Sequence, residues 1–405
     1  MRILVFCQHY WPEPYKLADI CEELVKRGHT VDVVTGVPNY PMGYIFKDYK
    51  HGNRRKEFHN GVNIYRTFTI GRRQNVFFRF LNYLSFAVSS SMYINHLKDE
   101  YDVVFAYQSS PVTMSLPAVK YKKRTGKKVL LYCLDLWPAS LSVGGVGKKN
   151  IIYKAFGKIS KKIYTSVSSI AVSSEGFIEY LNKEFNIPKS SIQYLPQHAE
   201  EIYLEIEETE KNADSKINLV FAGNIGSAQS MPTIIRAAQL CKDDKDIVWN
   251  IIGDGSELAR SMKTVEELKL TNVVFHGRKS LTDLMEYYKT ADAMLVTMIS
   301  DEVISLTLPA KVQTYMAAGK PLIVSADGAA ADVVAKAKCG LCAPAENPEK
   351  LAQAVQEFKR LTLAERKELA DNSRKFYLKN FDKELFFDRL ENLFRELSDE
   401  EQPIS

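Results

Sequence analysis

No stretch of this sequence approaches the roughly 18 consecutive apolar residues that a bilayer-spanning helix needs. Its opening, MRILVFCQHYW, has one arginine followed by five apolar residues before Gln8 and His9 interrupt the run, which does not read as a secretory leader. Cysteine is scarce, with six in 405 residues. Without a leader, that scarcity points to the reducing cytoplasm. Cys339 and Cys342 form a CxxC, but no second cysteine or histidine pair lies nearby to complete a metal or redox site. The glycines that follow the first strand of the second half do not make the GxGxxG spacing of a dinucleotide loop. No nucleic-acid motif accompanies the basic residues, which removes nucleic acid as a partner.

What is present is the composition of a soluble globular protein, 45% hydrophobic and 25% charged, in a chain long enough for two domains. The net charge of +5 hides an asymmetry. Residues 1–200 carry 28 basic against 15 acidic side chains, and the remainder carries 26 against 34. The two halves therefore face different partners or environments. Both halves alternate apolar, strand-like runs with helix-like ones: RILVFC, TVDVVTG, YDVVFAY, KKVLLYCLD and SSIAVSS in the first, INLVFAGN, DIVWNIIGDG, NVVFHG, AMLVTM and PLIVSAD in the second. Apolar strands alternating with amphipathic helices imply parallel sheets covered on both faces. The polar stretch EEIYLEIEETEKNADSK (200–216) is the natural linker. The expected fold class is α/β, with two Rossmann-like, doubly wound parallel-sheet domains.

In such sheets the loops at the carboxyl ends of the strands line the binding crevice. FAGNIGSAQSM and IIGDGSEL stand at such ends, and each also fits an ordinary strand-to-helix turn or helix cap. LTLPAKVQTYMAAGKPLIV (306–324) reads as a loop, a short helix and a buried strand. Pro309 suits the first helical position, where a missing N–H costs nothing, and Gly319 suits the stop. Val312, Tyr315 and Met316 recur at helical spacing. Lys311 in the first turn opposes the helix dipole unless an anion is bound there. A surface lysine on an exposed turn is the other reading.

Taken in order, VFAGNIGSAQ, IIGDGSEL, VVFHGRKSLTDLMEYYKTADAMLV and LPAKVQTYMAAGKPLIV resemble the family 4 glycosyltransferases of GT-B architecture. QHYWPEP, VTGVPNYPMG and CLDLWPAS are similar to the bacterial polysaccharide and O-antigen branch of that family. The resemblance covers nearly the whole chain. It implies an acceptor-binding domain over 1–205, a nucleotide-sugar donor domain over 206–380, and a C-terminal helix over 381–405 returning to the N-terminal domain. It also implies retention of anomeric configuration with no metal and no cofactor, the nucleotide-sugar being a substrate.

Many members place an arginine and a lysine after the first strand of the donor domain; the matching residues here are Asn224 and Gln229. Many also carry two glutamates eight residues apart, where this chain has Leu306 and Thr314. The glycine-rich first loop of many relatives is replaced by PEPYKLAD. Without a metal, the leaving diphosphate must be stabilised by backbone N–H groups, helix N-termini and cationic side chains. Candidate donor-binding residues are accordingly Gly223, Asn224, Gly226 and Gln229, then Gly253, Asp254 and Gly255, then Arg278, and finally Thr307, Leu308 and Thr314 around Lys311. Arg278 and Lys311 are the available cations, although Arg278 also fits a solvated surface. The base and ribose are expected between loops 253–255 and 277–278.

Asp135 ends an apolar strand before LWP, where a carboxylate could hold or orient an acceptor hydroxyl; a turn or helix-cap role fits as well. With Lys311 and Glu13 it completes the candidate catalytic set. Asn39, Tyr40 and His9 are the candidate acceptor-binding residues, and His9 and His198 also fit hydrogen-bonded core histidines. Glu175 reads as a helix cap. GRRQNVFFRFLNYLSFAVSSSMYI (71–94) and GKKNIIYKAFGKISKKIY (147–164) fit amphipathic helices at an anionic membrane surface, or core helices with solvated basic faces. The resulting reading is a retaining transferase. It moves a sugar, N-acetylated sugars included, from a UDP-type donor to a lipid-diphosphate-linked saccharide in surface polysaccharide biosynthesis. Its place is the cytoplasm, peripheral on the inner face of the cell membrane. A non-catalytic nucleotide-sugar-binding partner subunit and a GT-B UDP-sugar epimerase are the alternatives. A glycosidase lacks its carboxylate pair.

Overall fold

The computed structural model describes residues 1–73, 75–97, 100–207 and 216–399, so part of the expected linker, 208–215, lies outside the described residues. The chain divides into two units, Met1–Leu195 with Phe387–Ser405, and Pro196–Phe386.

The first unit is built on β1 (Arg2–Phe6), β2 (Thr30–Thr35), β3 (Lys56–His59), β4 (Val62–Arg66), β5 (Val103–Gln108), β6 (Val129–Cys133), β7 (Ser169–Val172) and β8 (Ile192–Tyr194). They form one sheet in the order β3-β4-β2-β1-β5-β6-β7-β8. Neighbours are parallel except β3, which runs antiparallel to β4 at the edge. Central strands such as VVFAYQ are buried at every position, which is why they read as continuous apolar runs rather than alternating ones. The connecting helices are α1 (Leu17–Lys26), α2 (Val76–Tyr93), α3 (Leu116–Thr125), α4 (Ser140–Val143), α5 (Ile151–Tyr164) and α6 (Gly176–Phe185). Asn75 and Asn150 start α2 and α5 by accepting the N–H groups of Phe77 and Ile152, each at 2.8 Å. Glu175 precedes α6 but makes no side-chain cap bond, correcting the reading of it as a capping residue. A glutamate is a poor cap because its longer stem overshoots the first-turn N–H groups.

The second unit contains β9 (Ile217–Ala222), α7 (Met231–Leu240), β10 (Ile247–Ile252), α8 (Leu258–Glu267), β11 (Val273–Gly277), α9 (Leu281–Thr290), β12 (Ala293–Thr297), α10 (Glu302–Ser305), α11 (Ala310–Ala317), β13 (Leu322–Ser325), α12 (Ala329–Ala337), β14 (Gly340–Ala343), α13 (Pro348–Arg360) and α14 (Leu363–Asn380). Its sheet has the order β11-β10-β9-β12-β13-β14 and is parallel throughout. Alternate residues serve two cores, as the period of two requires. Leu219, Phe221, Trp249 and Leu295 pack with α7 and α13, while Val220, Ala222, Met294 and Val296 pack with α11, α12 and Tyr377 of α14. The connections reverse direction between β9 and β12, so the crevice at the carboxyl ends of these two strands is the topological switch point.

The last helix, α15 (Lys383–Asp399), supplies most of its length to the first unit. There Phe394 meets Phe105 edge-on at 5.4 Å, and the Arg27 guanidinium lies 4.8 Å over the Phe387 ring.

Candidate functional site

Pro309 occupies the cap of α11 rather than its first helical position, in an extended conformation, so Lys311 is the second residue of the helix. Four residues on, and therefore on the same face, the buried Tyr315 hydroxyl bonds both polar groups of the Ala222 peptide at the end of β9. That anchor aims Lys311 at the switch point. Its ammonium bonds Gln229 Oε1 and lies 3.9 Å over the Phe221 ring centroid. A Cβ added at Gly223 would meet this ammonium at 3.5 Å. Gln229 is itself fixed, its carbonyl accepting from Thr297 Oγ1 at 2.6 Å and its amide donating to Met298 Sδ at 3.5 Å. Among the described residues no carboxylate pairs with Lys311. Burial without a counter-charge pulls its pKa down to about 7, although the residue keeps a partly exposed edge.

The loops beside it are laid against one another by backbone bonds. Gly223 N–H donates to Ile252 at 3.0 Å, Ile225 N–H to Asp254 at 2.8 Å, and Gly253 N–H to Gly277 at 2.9 Å. Side chains at two positions would break this stack: a Cβ on Gly253 would fall 1.8 Å from Gly223 O, and one on Gly255 would fall 2.4 Å from Ile225 O. Gly223, Asn224 and Arg278 are exposed, and Asn224 Nδ2 lies against Gly226. Gly226, Gln229, Asp254 and Lys311 thus share one edge with them. Three other candidates point elsewhere. Leu308 is buried in the core, Thr307 Oγ1 donates to Val303 O at 3.2 Å, and Thr314 Oγ1 donates to Ala310 O within its own helix at 3.2 Å.

In the first unit, Glu13 holds three partners. Oε1 accepts from the N–H groups of Asn39 at 2.8 Å and Tyr40 at 2.7 Å, and Oε2 lies 3.0 Å from His9 Nδ1. The Asn39 amide is used within the fold as well, accepting from Arg72 N–H at 3.2 Å and donating to Val37 O at 2.9 Å. Asp135 belongs to another network. Oδ2 accepts from Trp137 Nε1 at 2.9 Å, Oδ1 accepts from the Ser140 hydroxyl, and its carbonyl accepts from Gln108 Nε2 at 2.8 Å. Burial pushes the Asp135 pKa up while these donors pull the other way. His198 is buried in the second unit, its Nδ1 2.8 Å from Ala199 O and its ring against Phe386.

Residues 204–376 match the family of Glycosyl transferases group 1. That match takes in 173 of the 405 residues, all of them in the second unit. WbjE of Pseudomonas aeruginosa, named as a glycosyltransferase, is 26% identical over 264 residues, a match spanning 62% of this chain and 64% of WbjE. WcaI of Escherichia coli K12, named as a colanic acid biosynthesis glycosyl transferase, is 23% identical over 81% of this chain and 84% of its own length. Anabaena HepE, solved in complex with UDP, superposes with a TM-score of 0.73 at 12% identity, covering 98% of this chain and 100% of HepE. That likeness shows the fold, which is GT-B.

The residues that position the cation are as informative as the cation itself. Tyr315, Thr297 and Phe221 were legible only as apolar or strand residues. The spacing of Tyr315 four residues after Lys311 was the one available signal that the two side chains work from the same face. The basic helices also differ in how they pack. α5 buries Phe156, Ile163 and Tyr164 and exposes its lysines, whereas α2 buries Asn82, Phe86 and Ser90 and turns Phe77, Phe80, Leu84, Val88 and Met92 outward.

Proposed function

We propose that the protein is a retaining, metal-independent glycosyltransferase that moves a sugar from a UDP-type nucleotide-sugar to a lipid-linked saccharide. The single observation that carries this reading is the Lys311 ammonium at the β9/β12 switch point, above the glycine-stacked loops. A leaving diphosphate there would take charge compensation from Lys311 and hydrogen bonds from the backbone N–H groups of Asn224 and Gly226, since those of Gly223 and Ile225 already hold the neighbouring loop. Lys311 would then supply the charge that other family members place at the positions of Asn224 and Gln229. The UDP complex of HepE supports a uridine nucleotide as donor, and the naming of WcaI supports surface polysaccharide as the product. Asp135 would orient the acceptor through the lone pairs its loop leaves open.

The acceptor's lipid places the work at a membrane, and α2 supports this. Its outward stripe borders a groove of about 560 Å³ lined by Phe68, Ile70, Leu81, Leu84, Val88 and Met92, with Arg73 and Arg79 exposed at the same helix end. Among the described residues no helix is long and apolar enough to cross a membrane. Peripheral docking on the anionic inner face fits this chemistry.

A thermal-shift panel of UDP-, GDP- and dTDP-sugars tests the donor half. A UDP-sugar at about 100 times its Kd should add about 2.7 kcal/mol of stability, and Lys311→Ala should lose most of that shift. If no UDP compound stabilises the wild type, the reading fails. NMR of the product's anomeric proton, with a lipid-linked acceptor, then reads retention against inversion. Free UDP released without acceptor would instead favour the epimerase.

A further inference from the structure

Glu13 and His9 are both almost fully buried, at 4% and 3% exposure, in the loop that follows β1. A buried carboxylate needs its lone pairs filled, and here the donors are identifiable. Backbone N–H groups can only donate, so Oε1 is an acceptor twice over, from Asn39 and Tyr40. With Oε1 filled, Oε2 is the oxygen that faces His9 Nδ1, and a carboxylate there takes its third hydrogen from Nδ1–H. Such a bond favours the neutral tautomer with the proton on Nδ1 and a lone pair on Nε2. Nε2 is the ring's remaining polar atom. Around the same ring stand two partly exposed tyrosines. Tyr15 stacks on His9 at 5.0 Å with planes 5° apart, and Tyr40 tilts against Tyr15 at 5.4 Å.

We propose that His9, Tyr15 and Tyr40 form a saccharide-binding subsite of the first unit. In it, His9 Nε2 accepts a hydrogen bond from a sugar hydroxyl, and Glu13 is the positioning residue that keeps Nε2 an acceptor. The chemistry of the three groups is that of a pyranose: a ring whose C–H face packs on an aromatic surface and whose rim carries hydroxyl donors. Neither Glu13 nor Asn39 touches the sugar in this arrangement, because their polar atoms already hold the loops after β1, β2 and β4 together. The inference rests on the reading that this unit takes the saccharide acceptor.

The test uses the full chain labelled with ¹⁵N-histidine, the His9 signals being assigned by their loss in His9→Gln. The probes are methyl β-glucoside, methyl β-galactoside and methyl 2-acetamido-2-deoxy-β-glucoside, added without nucleotide. The wild type should show the Nδ1–H tautomer at His9, and at least one glycoside should shift its Nε2 resonance. Glu13→Gln keeps an oxygen for the two N–H groups and turns its NH₂ toward Nδ1. His9 should then carry its proton on Nε2, and affinity for the responsive glycoside should fall at least tenfold. Tyr40→Leu should weaken the glycoside response and leave the tautomer unchanged, which guards against a Glu13→Gln protein that folds poorly. A wild-type proton on Nε2, or glycosides that leave His9 unmoved, overturns the inference. Binding of UDP, followed on the same samples, separates the two readings: UDP binding without a glycoside response sinks only the subsite, and the reverse sinks only the donor assignment.

Discussion

The Tyr315 hydroxyl and the Ala222 peptide make two hydrogen bonds, Tyr315 donating to the carbonyl at 2.8 Å and accepting from the N–H at 3.0 Å. One side chain thereby closes both open backbone valences at the end of β9 and sets the rotation of α11 about its own axis. Lys311 sits one turn earlier on that helix and inherits the alignment.

Tyr315→Phe keeps the ring and removes both bonds, leaving a buried N–H and carbonyl without their partner. The loss should be about 1–3 kcal/mol, read by chemical denaturation. UDP affinity should drop as well, because Lys311 loses its register. Wild-type UDP affinity in this variant would mean that Lys311 is placed by something other than the Tyr315 anchor.

Lys311→Ala should lower the transfer rate by about 100-fold, the usual cost of one preorganised donor, with melting temperature nearly unchanged. A variant keeping more than half of the wild-type rate would show that Lys311 does not act on the leaving group.

With the pKa of Lys311 lowered to about 7, binding of a nucleotide donor at this residue should depend on pH. Free protein is half neutral at that residue near pH 7, and an adjacent diphosphate raises its pKa. Binding at pH 8 should therefore take up a proton, detectable by calorimetry in two buffers of different ionisation enthalpy, and UDP affinity should decline as pH rises above 7. Lys311→Arg should abolish the uptake. The unliganded protein has the opposite dependence. The folded pKa lies below the unfolded 10.5, so this group's contribution to stability is present above 10.5 and is lost as pH falls through 7.

Leu84→Glu with Val88→Glu places two charges in the outward stripe of α2, where the wild-type side chains are 48% and 50% exposed. Folding should be unaffected, and sedimentation with anionic phosphatidylglycerol vesicles should fall. Arg73→Glu with Arg79→Glu should weaken the same binding and reduce its salt dependence, since surface charges act within a Debye length of about 8 Å at physiological salt. Equal sedimentation with neutral and anionic vesicles would count against the electrostatic part of the docking.

Asp135→Asn retains the shape and an acceptor for Trp137 Nε1, turns an NH₂ toward the Ser140 hydroxyl, which can accept, and removes the charge. Turnover should fall while donor affinity stays normal, as expected of a group that orients the acceptor. An unaltered rate would leave Asp135 as the residue that ties Trp137 and Ser140 into their loop.

The sequence by itself determined the two parallel sheets, their helical covers and the strand-end loops, because periodicity is local: the alternation of Leu219 and Phe221 with Val220 and Ala222 sorts side chains to two faces whatever lies beyond them. It also determined that a lysine stands in the first turn of a short helix. The tertiary structure alone decided where that lysine points, since the Tyr315–Ala222 and Lys311–Gln229 contacts join residues far apart in the chain. It likewise decided that Glu13 and Asn39 spend their polar atoms on neighbouring loops. α2 and α5 illustrate the same division. Both read as basic amphipathic helices, but a helical stripe records which residues share a face, and only packing decides which face is covered: α5 lays Phe156, Ile163 and Tyr164 on the core and leaves Ile151 and Ile152 exposed at its start, whereas α2 meets the core through Asn82, Phe86 and Ser90 and leaves its apolar stripe outside.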